Sequence, residues 1–176
     1  MSFNFIDLNK FRDLMAEEIR FDLENNSLYL SEGLSSRGRV LWQQLLTEAI
    51  LRHDEVWLAE QIRNDNLLNP TESYRRNDET LLRNTRRNAP ELLAEGEFNK
   101  FYARAVCRKA ADEGKRVRIY RARESRSPRA ESEQKIGQIL DPQSLLEDLR
   151  ANKTAETFFG VALINSGLSV TIEDID

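Results

Sequence analysis

Apolar residues recur every three or four positions over most of the first 63 residues, and that spacing commits the chain to amphipathic helices. Leu8, Phe11, Leu14, Met15 and Ile19 mark a first helix over 7–25, with Asp7 placed as its N-cap and Asn25-Asn26 at its end. Leu41, Trp42, Leu45, Leu46, Ala49 and Ile50 form a wide stripe over 39–52. Val56, Trp57, Ala59 and Ile62 continue it over 55–63, behind Asp54 as an N-cap. The short link at Arg52-His53 favours antiparallel packing, and tryptophans on consecutive helices point to one shared core. The stretch 89–113 repeats the pattern through Phe98, Phe101, Tyr102, Ala105, Val106 and Ala110. Asn88 and Pro90 suit its start, Gly96 reads as a break within it, and Gly114 is placed as the C-cap glycine.

The remaining segments lack that period. Residues 66–88 are dense in turn signals, among them Asn69-Pro70 and Arg75-Arg76-Asn77-Asp78, with only Thr80-Leu81-Leu82 reading as a short strand. Structureless connections of this length are uncommon in compact domains unless they bind something, so the segment reads as an extended arm or surface loop. Residues 116–123 alternate and read as a strand, with 135–140 pairing back on it across a Ser/Arg/Pro loop. Asp141-Pro142 then opens a helix over 142–151. Residues 152–176 form an apolar, acid-tipped tail, docked either on the chain's own core or on a neighbouring subunit. The expected fold class is mainly α: a helical bundle with a small β-hairpin at 116–140 and an extended C-terminal tail. The expected organisation is one compact domain, divided into a helical part (1–65), an arm (66–88), a helix–hairpin–helix part (89–151) and the tail (152–176).

Composition removes many function classes. At 176 residues and 40% apolar content the chain can bury an ordinary core. No apolar run approaches the ~18–20 residues of a membrane span, and Met1-Ser2-Phe3-Asn4-Phe5 lacks the pattern of a signal peptide, so no membrane partner is expected. The single cysteine, Cys107, excludes an internal disulfide framework and fits a reducing compartment. The single histidine, His53, excludes a zinc site built on several His and Cys ligands. Phosphate-cradling glycine loops, GxSxG and HExxH are all missing. No catalytic residue, cofactor or metal ligand is therefore assigned, and no enzyme is expected. His53 reads as a helix-end residue and Cys107 as a packing residue on its helix.

Charge is unevenly distributed beneath a net −4. Residues 1–70 carry seven Lys/Arg against twelve Asp/Glu, residues 71–129 sixteen against nine, and residues 130–176 three against nine. Such segregation is compatible with pairing inside the monomer, with contacts between identical subunits, or with a polyanion surface. Lys100, Arg104 and Arg108 repeat at i, i+4 and i+8, and Arg116, Arg118 and Tyr120 share one strand face. These six are the candidate polyanion contacts, since Arg and Tyr on an exposed strand pair with phosphates and stack on bases.

Several segments carry a family resemblance. They are the run Ala94 to Arg104, Ile119 to Arg123, Pro128 to Glu133, Ile136-Gly137, Leu145 to Arg150 and Asn165 to Val170. Together they resemble an uncharacterised family of tailed-bacteriophage virion morphogenesis proteins. The likeness covers roughly the C-terminal half and is weaker over the second and third helices. The tail departs from the family pattern: Phe-Phe-Gly-Val-Ala-Leu-Ile stands where a Pro/Gly-rich segment precedes Asn-Ser-Gly-Leu-Ser. The resemblance implies a virion structural protein, assembled in the host cytoplasm, of which a head-to-tail connector (an adaptor or neck component) suits the size best. As a connector it would form a homo-oligomeric ring, dock on the portal and on other neck or tail proteins, and meet DNA in its lumen. Candidate interface residues are Arg75, Arg76, Arg86 and Arg87 in the arm, and Phe158, Phe159, Leu163, Leu168, Val170 and Ile172 in the tail. The alternatives are a capsid cement or tail-completion protein, or a nucleic-acid-binding accessory protein that uses the basic middle region.

Overall fold

A computed structural model describes residues 2–77, 79–124, 129–152, 159–161 and 166–174. It is mainly helical, with two small β-sheets. Helices α1 (Leu8–Glu24), α2 (Ser36–Arg52) and α3 (Glu55–Asn64) follow the apolar periods of the sequence. Ser35 and Asp54 cap α2 and α3 through their side chains, accepting from the N–H groups of Gly38 and Trp57. Asp7 departs from its expected role. It adopts a left-handed φ of 56° and pairs with Lys10 at 2.7 Å instead of capping α1.

Helix α4 (Ala89–Asp112) is the centre of the molecule and runs unbroken through Gly96, against the expected split. It packs on α1, on α3, on α6 (Pro142–Ala151) and on the larger sheet. Neighbours on every side leave Phe98, Phe101, Tyr102, Ala105, Val106 and Cys107 without exposure. That enclosure holds a helix continuous through one glycine, whose intrinsic penalty is only about 1 kcal/mol. Gly114 ends α4 with φ +66°, and Lys115 N–H returns to Ala110 O at 2.8 Å. Asn88 makes no side-chain cap, while Pro90 occupies the first turn as expected.

The arm is a β-hairpin, not an irregular loop. Strand β1 (Thr71–Arg76) pairs antiparallel with β2 (Glu79–Asn84), and Asn77 turns the chain with φ 48°. Strand β3 (Arg116–Arg121) lies at the centre of a sheet ordered β4-β3-β5. The expected partner of β3 is reduced to the two residues of β4 (Ile139–Leu140), behind a short helix α5 (Ala130–Glu133) that starts at the end of the segment read as loop. Its full-length partner is β5 (Leu168–Glu173), paired from Arg116↔Glu173 to Arg121↔Leu168. Of the two placements open for the tail, on the chain's own core or on a neighbouring subunit, this strand takes the first. Leu168 and Val170 are fully buried in the chain's own core, and Phe159 and Ile172 pack against it. Phe158 and Leu163 lie outside the described residues.

Candidate functional site

The basic residues singled out in the sequence do not converge on a surface. Arg104 is 1% exposed, and its Nε donates to Glu18 at 2.7 Å while its two terminal nitrogens fork onto Asp22 at 2.9 Å each. Arg108 reaches Glu17 at 2.8 Å, and Arg150 reaches Glu18 at 2.6 Å. Burial would raise the pKa of Glu18, yet hydrogen bonds and charge from Arg150 and Arg104 outweigh it and hold the carboxyl below its usual range. Lys100 is buried against Glu97 at 2.7 Å. On β3, Arg116 pairs with Asp141 at 3.0 Å and Arg118 with Glu173 at 2.7 Å. The Tyr120 hydroxyl donates to Asn4 O at 2.9 Å and so fixes the N-terminal segment over the sheet. Lys100 and Arg104 are therefore removed as polyanion contacts by burial. The other four are engaged by acids or backbone of the same chain.

The reason is visible in α1. Glu18 and Asp22 stand one turn apart, and Arg104 and Arg108 stand one turn apart on α4. Two ladders of opposite charge on packed helices neutralise one another. His53 stacks on Trp57 with ring centroids 4.2 Å apart, and Cys107 is fully buried. Among the described residues no group of three or more His, Cys, Asp or Glu is placed to hold a metal ion.

An acidic hollow of about 440 Å³ lies between α3 and α4, lined by Glu55, Glu60, Glu91 and Glu95. Three of these are already held: Glu55 by Phe3 N–H at 2.8 Å, Glu91 by Arg63, and Glu95 by Arg123 at 2.9 Å. Burial pushes the pKa values of Glu55 and Glu95 up.

What remains unspent is the hairpin and the cleft at its root. Among the described residues, β1 and β2 make their substantial contacts only with each other, and no hairpin residue whose burial is described is buried. Leu82 is 74% exposed. The root is firmly joined to the body, since Thr85 Oγ1 donates to Asn69 O at 2.6 Å and Asn69 N–H to Gly33 O at 2.8 Å. Beneath the hairpin opens a cleft of about 500 Å³, walled by Leu68, Leu92, Leu93 and Leu149, with the Lys100–Glu97 pair at its floor. Burial raises the pKa of Glu97, partly offset by the ammonium group of Lys100. An apolar cleft with a few fixed charges is the ordinary form of a binding site. Arg86 lines it and Arg87 is exposed, and Arg86 Nε reaches Glu72 at 3.1 Å. Arg75 and Arg76 lie on β1, in register with Thr80 and Glu79.

Comparison with protein-family models, with curated proteins and with solved structures returned no match.

Proposed function

We propose that this chain is a structural subunit that works by assembly, using the β1–β2 hairpin and the cleft at its root as its contact surface. One observation carries the reading. Among the described residues, the well-rooted hairpin has no element of its own chain to pack on beyond its two strands. A two-stranded sheet alone is marginal in water, and its exposed edges invite pairing with another chain. Such an element is stabilised when a neighbour covers it. The sequence resemblance supplies the setting: a tailed-phage virion, with a head-to-tail connector ring on the portal as the role that suits the size. The tail contacts expected for that role are replaced in this proposal by the arm, because β5 is committed to the chain's own sheet.

The test is the mass of the purified full-length protein by light scattering over a range of concentrations, beside a variant with residues 71–84 replaced by a short Gly/Ser turn. Assembly that depends on the hairpin supports the reading. A monomer at every concentration, whose incorporation into particles ignores the hairpin replacement, overturns it.

A further inference from the structure

We infer that the hairpin pairs head to tail with the hairpins of further copies of this chain, β2 of one against β1 of the next, so that the arms merge into one continuous antiparallel sheet. The inference rests on the assembly reading above and names its partner and its contact.

The register of the hairpin carries the argument. Glu72 stands opposite Arg83, and Tyr74 opposite Leu81. These pairs share one face of the hairpin, because side chains alternate along a strand. A second hairpin set against the first in the same register repeats every pair. Along each row, acid then alternates with base and Tyr with Leu, and no like charges face each other. The opposite face carries Ser73 beside Leu82. That pair brings no like charges together.

The atoms of the central pair have capacity to spare. Arg83 binds Glu72 only through Nε, at 2.8 Å, which leaves both terminal guanidinium nitrogens without a hydrogen bond among the described residues. Glu72 receives Arg83 and Arg86 on the same oxygen, Oε1, and its Oε2 has no partner among the described residues. The free nitrogens of one copy therefore match the free oxygen of the next. Arg83 also lies over the Tyr74 ring at 4.9 Å, so its position is already fixed.

Among the described residues neither outer edge of the hairpin is paired, and no proline interrupts residues 71–84. A two-fold pairing of β2 with β2 covers one edge and leaves β1 of both copies bare. Head-to-tail pairing covers both edges and leaves none when it closes, which makes the assembly a ring.

The test uses full-length protein and charge exchange in trans. Arg83→Glu and Glu72→Arg each place like charges opposite one another, both within the hairpin and between copies. Mixed in equal amounts, they restore every contact between copies and leave every contact within a hairpin repulsive. The expected result is a large assembly for the wild type and a monomer for each variant alone, with thermal melting of the body unchanged. The mixture should then recover an assembly that contains both variants. Two results overturn the pairing: a mixture that stays monomeric, or single variants that assemble as the wild type does. If assembly still requires residues 71–84 but the mixture fails, strand pairing is wrong and the assembly reading stands. If the wild type never assembles, the pairing falls, and particle incorporation of the hairpin replacement then decides the broader reading.

Discussion

Arg104 on α4 grips Asp22 on α1 with both terminal nitrogens, each 2.9 Å from its own carboxylate oxygen. The pair is almost wholly shielded from water, at 1% and 4% side-chain exposure. Glu18, Arg108 and Arg150 extend it into a network that ties α1, α4 and α6 together. Arg104→Met should therefore destabilise the protein by about 3–5 kcal/mol, the range expected when one partner of a buried ion pair is removed. Among the described residues, Asp22 would keep only the hydroxyl of Ser27, at 3.0 Å. Arg104→Lys should recover only part of the loss, because an ammonium group lacks the planar fork that serves both acids. Urea unfolding of the two variants beside the wild type measures both effects.

The same network predicts an acid-sensitive fold. Glu18 has a folded-state pKa below its ordinary value, so it contributes stability that is complete above the unfolded value of about 4.3. That contribution is lost as pH falls through the depressed folded pKa. Glu55 acts in the opposite sense, because burial raises its pKa. Its contribution favours the fold at low pH and is lost as pH rises through the raised value. The stability gap between wild type and Glu18→Gln should narrow as pH drops from about 5 toward 2. Glu55→Gln should gain on the wild type between about pH 4 and neutrality. Unfolding free energies measured across that range check both signs.

The helices were legible because burial of one stripe leaves a period in the sequence, as Phe11, Met15 and Ile19 show in α1. Asp54 and Asp141 were legible as caps because capping is local chemistry, read within three residues. Pairing between distant strands leaves no such mark. Nothing near Leu168 announces that its strand lies beside Arg121, 47 positions earlier in the chain. The hairpin was obscured for a different reason. Exposure on both faces removes the apolar alternation by which a strand is recognised, and Leu82 faces outward. The cationic ladder on α4 was visible, but its acidic counterpart on α1 was visible only as a polar face. Their meeting is a tertiary fact.

Gly38 is held by space, not by backbone conformation. A Cβ built there would stand 2.2 Å from Leu67 O, and that carbonyl accepts Ser35 N–H at 2.8 Å. Gly38→Ala must push α2 away from the segment leading into the arm. The expected loss is about 1–3 kcal/mol, as for other overpacked sites. Gly114→Ala provides the contrast, since its Cβ would meet nothing within 4 Å and only its φ of +66° is unfavourable. It should cost about 1–2 kcal/mol. Thermal melts of both variants test the order.

Cys107 is fully buried on α4, and burial pushes its thiol pKa well up. Thiolate is the reactive form, so the native protein should resist alkylation at neutral pH. Labelling should proceed only at the rate of opening and become rapid in denaturant. Mass spectrometry after timed exposure to iodoacetamide reads this directly. Rapid labelling of the native protein would mean that α4 is not enclosed as described.

Truncation after Ala151 separates two views of the tail. A tail that serves only to grip a neighbour can be removed without harm to the monomer. Here its last strand supplies six residue pairs to β3 and places Leu168 and Val170 in the core. Asn99 on α4 also donates to Leu168 O, at 2.8 Å, from a position that is 1% exposed. Removing the strand would strip β3 down to its two-residue pairing with β4 and open the sheet face of α4 to water. A buried amide would lose its acceptor as well, at a cost of about 1–3 kcal/mol before any apolar loss is counted. The truncated chain should therefore lose cooperative unfolding by circular dichroism. A cooperative melt near that of the full-length protein would show that β5 is dispensable to the body and return the tail to the role of an external grip.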